Sequence, residues 1–113
     1  MMLLPKYLIV VLKRFQNDGI KFTKKNTMVS FPLDDLDMSS YTMGYDRYKA
    51  KYRLRSIGCH VGGIQGGHYY AICRHRDNKW YMFNDRQCEE YNIKGDIPML
   101  QTRAYMLIYE KKE

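Results

Sequence analysis

The chain has 113 residues, 45% hydrophobic and 27% charged, with a formal net charge of +7. That balance fits one globular domain with a modest core and excludes a disordered polyelectrolyte. Cys59, Cys73 and Cys88 are widely spaced and lack a C-x-x-C pair, which excludes a disulfide scaffold and a zinc site built within the chain.

In chain order, YLIVVLKRF (7–15) predicts a strand covered on both faces, since its apolar run is continuous and β-branched. The run from 7 to 12 is too short to span a bilayer, and no membrane role is expected. Asn17-Asp18-Gly19 supplies turn chemistry, short strands are expected at 20–23 and 27–31, and Pro32 ends the second. Residues 34–50 show no clean period and suggest a short helical turn followed by a loop. KYRLRSIGCHV (51–61) reads as a strand and GGIQGG (62–67) as a glycine loop. HYYAICRHR (68–76) and KWYMFN (79–84) read as a hairpin across Asp77-Asn78. QCEEYNI adds a short strand, Gly95 and Pro98 mark a loop, and RAYMLIYEK (103–111) closes the chain as a strand. A mostly antiparallel sheet with little helix is expected.

The hairpin carries the chemistry. Its open ends bring His68 near Asn84 and Asp85. An imidazole acting as a base needs its second nitrogen held by an acceptor, and an amide oxygen or a carboxylate both serve. The glycine loop beside it lets another backbone pass closely, because it carries few Cβ atoms. Locally, a structural histidine and a plain connector explain the same residues. Register separates the two acceptors. A two-residue turn at Asp77-Asn78 pairs residue 76 with 79 and puts Asp85 on the face of His68, whereas a longer loop or a bulge puts Asn84 there.

Taken in order, LPKYLIVVLKRF, FPLDDLDMSSY, YRLRSIGCHVGGIQGGHYYAIC, WYMFND and AYMLIYE resemble the C-terminal half of ubiquitin-specific protease catalytic domains. The resemblance implies an α+β, papain-like cysteine protease architecture, of which residues 1–113 supply mainly the antiparallel sheet, or palm. It implies thiol-dependent hydrolysis after the C-terminal glycine of ubiquitin, with ubiquitin or ubiquitinated proteins as partners and no cofactor or metal in the chemistry. His68 corresponds to the catalytic histidine, Asn84 to the residue that orients it, and Asp85 to a neighbouring assisting acid. Gly66, Gly67 and Tyr69 correspond to substrate-binding positions along the channel for ubiquitin's tail. The 62–67 stretch corresponds to a mobile loop over that channel, and 41–49 to a second one. Nothing here resembles the family's cysteine box, so a separate N-terminal half is expected to bring the nucleophile.

The remaining chemistry-bearing residues have plain readings. Cys59 and Cys73 fit as small core residues, and Cys88 is a stray thiol just beyond Asn84. His60 reads as a hydrogen-bonded structural residue and His75 as solvated, while Trp80, Tyr81 and Phe83 read as packing. The 19 Lys and Arg are scattered with no run longer than Lys-Lys, a solvated face that would also suit an acidic protein surface. Two rival functions remain: a ubiquitin-binding module without activity, and a single-stranded nucleic-acid binder that uses the tyrosines on a basic sheet. Nothing places aromatic and basic residues on one face, so nucleic acid is the weaker partner. Reduced cysteines suit a cytoplasmic or nuclear protein.

Overall fold

The computed structural model describes residues 5–17, 22–24, 27–38, 51–62 and 67–112. Among these residues nine strands and one α-helix follow in order: β1 (Tyr7–Val11), β2 (Phe15–Asn17), β3 (Phe22–Lys24), β4 (Leu36–Asp37), β5 (Lys51–Val61), β6 (His68–Arg74), β7 (Trp80–Asn84), β8 (Gln87–Tyr91), α1 (Ile97–Arg103) and β9 (Ala104–Lys111). The main sheet runs β1-β9-β5-β6-β7-β8, with β4 pairing the start of β5, and every pairing is antiparallel. β2 and β3 form a separate two-stranded ribbon.

The core lies on one face of the sheet, and the period-two pattern reaches it only through a correction. Tyr52 and Leu54 point inward at even positions of β5, but Ile57 and Cys59 point inward at odd ones. The register slips between Leu54 and Ser56, which leaves Arg55 as an extra residue. Such a bulge switches the parity of everything beyond it. A second slip, between Gly58 and Cys59, leaves Tyr105 of β9 without a partner on β5. The Tyr105 ring lies over Gly58, where an added Cβ would come within 3.2 Å of it. Leu100 and Ile93 seal the core, and two inward tyrosines settle their hydroxyls on backbone carbonyls: Tyr52 on Pro5 at 2.5 Å and Tyr109 on Pro32 at 2.8 Å.

Several expectations are corrected. The first strand ends at Val11 rather than 15, and only one of its faces is covered. Leu8 and Val10 pack on the core, whereas Tyr7, Ile9 and Val11 are 49%, 66% and 60% exposed. The chain then turns to bury Arg14, which is 3% exposed. Its guanidinium donates to the carbonyls of Ala104, Thr27 (2.7 Å) and Gln101 (2.7 Å), tying the end of α1 to the segment at 27. That segment forms no strand over 27–31; the Val29 N–H goes to the Gln101 carbonyl instead. The strand expected at 20–23 occurs as Phe22–Lys24, with 18–21 outside the described residues. The helical turn expected after 34 is absent from 34–38, where Leu36–Asp37 pairs with β5. Residues 39–50, including the second loop expected at 41–49, lie outside the described residues.

The stretch around Pro98, expected as a loop, is a helix. A short 3-10 turn at Ile93–Gly95 leads into α1, with Pro98 in its first turn, where a missing N–H leaves no bond unmade. Tyr91 Oη donates to Asp96 Oδ2 at 2.6 Å and fixes the entry from β8. No helix among the described residues is long and apolar enough to cross a membrane.

Candidate functional site

The site is built by the β6–β7 hairpin, and its loop length decides which residues meet. Arg74 pairs with Trp80 and Ala71 with Phe83, so paired numbers sum to one less than a two-residue turn would require. Three residues, 76–78, make the loop: the Asn78 N–H bonds the His75 carbonyl at 2.9 Å, and the His75 N–H bonds the Lys79 carbonyl at 2.8 Å. Asn78 has φ 66, a left-handed conformation that asparagine tolerates better than most residues. The Asp77 carboxylate accepts the Lys79 N–H at 2.9 Å and steadies the turn. The expected two-residue turn and the parity built on it are therefore corrected by one position.

With this register His68 and Asn84 share a face, the core-bearing one, just where the core ends. His68 Nε2 and Asn84 Oδ1 stand 2.5 Å apart. An amide oxygen can only accept, so Nε2 carries the proton, and in the neutral ring the lone pair is on Nδ1. The pair is open to solvent. Asp85 serves a different need. It has φ 54 in the two-residue turn between β7 and β8, where Asn84 pairs with Gln87. Asn84, Asp85, Arg86 and Gln87 line an open depression at this end of the sheet.

The neighbouring positions separate in the same way. Gly67 is exposed immediately before His68, Gly62 turns the chain with φ 94, and residues 63–66, Gly66 among them, lie outside the described residues. Tyr69 points to the opposite face of the sheet, 56% exposed, with its ring 4.5 Å from that of His60 and edge-on to Tyr105 at 5.4 Å. His60 is buried beneath it, and His75 is exposed at the hairpin tip.

Three thiols are present, and none is presented to His68. Cys59 is fully buried, and burial pushes its thiol up to about 11. Cys73 lies on the open face, with its sulfur 3.3 Å from Ser56 Oγ. Cys88 pairs with Phe83, so it faces away from the Asn84–Gln87 side. At mildly alkaline pH, iodoacetamide is expected to label Cys88, which is exposed, and to leave Cys59 unlabelled until the chain is denatured. Peptide mapping by mass spectrometry reads both, and labelling of native Cys59 at the rate of Cys88 would contradict the packing.

Arg103, at the end of α1, escaped the sequence reading. It donates to Tyr70 Oη at 3.2 Å on the same face as the pair, and its meaning depends on a helix the sequence pattern did not disclose. Among the described residues, no group of three or more His, Cys, Asp or Glu comes together to hold a metal ion.

Residues 1–109 match the family described as ubiquitin carboxyl-terminal hydrolase. Ubiquitin carboxyl-terminal hydrolase 15 of Homo sapiens is 34% identical over 111 residues, covering 97% of this chain and 11% of that protein. Ubiquitin carboxyl-terminal hydrolase 8 of Arabidopsis thaliana is 37% identical over 113 residues, covering 96% of this chain and 12% of that protein. Among solved structures, the SAGA Ubp8/Sgf11/Sus1/Sgf73 DUB module bound to ubiquitin aldehyde contains a chain that superposes with a TM-score of 0.79. Identity there is 28%, and 97% of this chain aligns with 25% of that one. The chain thus spans only 11–12% of the curated relatives it matches.

Proposed function

The chain belongs to the ubiquitin carboxyl-terminal hydrolase family, and from that premise we propose that it supplies the His68–Asn84 half of a cysteine-type deubiquitinating site. The observation that carries the reading is the contact of His68 Nε2 with Asn84 Oδ1 at 2.5 Å, set at the open end of the sheet. Asn84 fixes the tautomer and the ring plane. Nδ1 is then the base that takes the proton of a cysteine thiol. The thiolate attacks the carbonyl carbon of ubiquitin's terminal glycine, the amine leaves with a proton from the imidazolium, and water hydrolyses the thioester. Asp85 supports this arrangement by turning the chain after Asn84 rather than by touching His68. Gly66, Gly67 and Tyr69 are assigned to the substrate tail by their correspondence with the family's channel positions.

The nucleophile comes from outside these 113 residues, since Cys59 is buried and Cys73 and Cys88 face away from His68. The partner is ubiquitin or a ubiquitinated protein. Free cysteines and no disulfide among the described residues support a reducing compartment, the cytoplasm or nucleus.

A ubiquitin derivative with a C-terminal electrophile tests this. A protein that joins this chain to a cysteine-bearing N-terminal half is expected to form a covalent adduct, and the 113-residue chain alone is not. An adduct on the chain alone, lost in Cys88→Ser, would move the nucleophile into the chain. No adduct with the completed protein, alongside retained ubiquitin binding, would leave a binding module without activity.

A further inference from the structure

At the end of the sheet away from His68, three strand ends converge into a basic cleft of about 350 Å³ lined by Lys6, Arg53, Glu110, Lys111 and Lys112. The two ends are far apart. β5 runs from Lys51 beside the cleft to Val61, which pairs with His68, a path of roughly 30 Å. The cleft is held by backbone bonds: the Lys111 N–H goes to the Lys6 carbonyl at 2.7 Å and the Lys112 N–H to the Lys51 carbonyl at 2.9 Å. The Tyr52 hydroxyl anchors its rim to the Pro5 carbonyl at 2.5 Å.

Its charge is poorly balanced. Lys112 reaches Asp35 at 2.6 Å and Glu110 meets Arg55 at 3.7 Å. The Asp35 carboxylate also feels Lys51 and Arg53, and Glu110 is the single carboxylate among the described lining residues. Four lining cations against one lining carboxylate leave a net positive cleft, and an anion entering between them relieves their mutual repulsion. The scattered lysines of the sequence are therefore gathered here by strand pairing.

We propose that this cleft is a second docking site, separate from the His68 end, which takes an extended, carboxylate-rich peptide segment of a partner protein. The chemistry favours carboxylates spread along a chain over one compact phosphate. The lining has three lysines and a single arginine, so it lacks a cluster of planar forks for bidentate phosphate recognition. It also favours peptide over single-stranded nucleic acid, because no aromatic ring among the described residues lines the cleft to stack a base. Just outside it, β1 pairs only with β9 among the described residues and presents the exposed Tyr7 and Ile9. An extended peptide leaving the cleft finds backbone groups along that edge.

The test is fluorescence anisotropy of a labelled oligoglutamate peptide on the protein, with a single-stranded oligonucleotide of matched charge as competitor. Binding of the peptide is expected to weaken with added salt and to fall about tenfold or more in Lys6→Glu/Lys111→Glu. The equally charge-reversed pair Arg76→Glu/Lys79→Glu at the hairpin tip is expected to bind like the parent. If the reversal fails to fold by circular dichroism, Lys6→Gln/Lys111→Gln is read instead and must weaken binding in the same direction. Equal affinity in parent and cleft variant, or equal losses in cleft and tip variants, overturns the proposal. So does an oligonucleotide that binds more tightly than the peptide. No ubiquitin or turnover enters the assay, so its outcome is independent of the proposed hydrolase function.

Discussion

In a protein completed with its cysteine, His68→Ala lowers kcat/KM on a ubiquitin amide substrate by about a thousandfold or more. The range for removing a general base is roughly 10²–10⁴, and here the base also makes the nucleophile anionic. Asn84→Ala is expected to cost less, about ten- to a hundredfold, because the imidazole survives and loses only the acceptor that holds its ring and tautomer. Asp85→Ala costs less again. Asp85 has no hydrogen bond to His68 in the structure, and its φ of 54 gives it the work of a turn. Steady-state kinetics of the three variants decide the order. Substantial turnover by His68→Ala ends the assignment, and a larger loss in Asp85→Ala than in Asn84→Ala transfers the orienting role.

Arg14→Ala is expected to lower stability by about 3 kcal/mol or more, which for a chain of this size moves Tm down by roughly 12 °C or more. One guanidinium, itself 3% exposed, donates to the carbonyls of Ala104, Thr27 and Gln101, so its loss takes a donor from all three, of which Gln101 still accepts from the Val29 N–H. Two of those carbonyls belong to the last turn of α1 and the start of β9, and the third to the segment that crosses them. Arg14→Lys recovers only part of the loss, since a single ammonium cannot reproduce the planar fork toward three separated acceptors. Thermal and urea unfolding measure the change. A loss under about 1 kcal/mol would mean the carbonyls find other donors.

Much of this was legible along the chain. Alternation and β-branching located β5, β6, β7 and β9 within a residue or two. The crowding of glycines before His68, and the WYMFND stretch ending at Asn84, marked the candidate site and carried the family resemblance. Those are local signals, written in residue type and spacing. The choice between Asn84 and Asp85 as the neighbour of His68 was not local. It turns on one residue of loop length, and the left-handed Asn78 settles that by admitting a three-residue loop. The extra Arg55 in β5 likewise lets Leu54 and Ile57 face the same core, which strict alternation forbids. The helix at Ile97–Arg103 was hidden by a proline that reads as a breaker until its place in the first turn is known. The basic cleft had no signature in the sequence, because Lys6, Arg53 and Lys111 meet only when β1, β9 and β5 align their ends. Sequence by itself determined which residues were candidates for the chemistry and where most of the strands lie along the chain. Tertiary structure decided which of them meet, because strand register is set by loops and bulges whose geometry is chosen by the packing of the whole sheet.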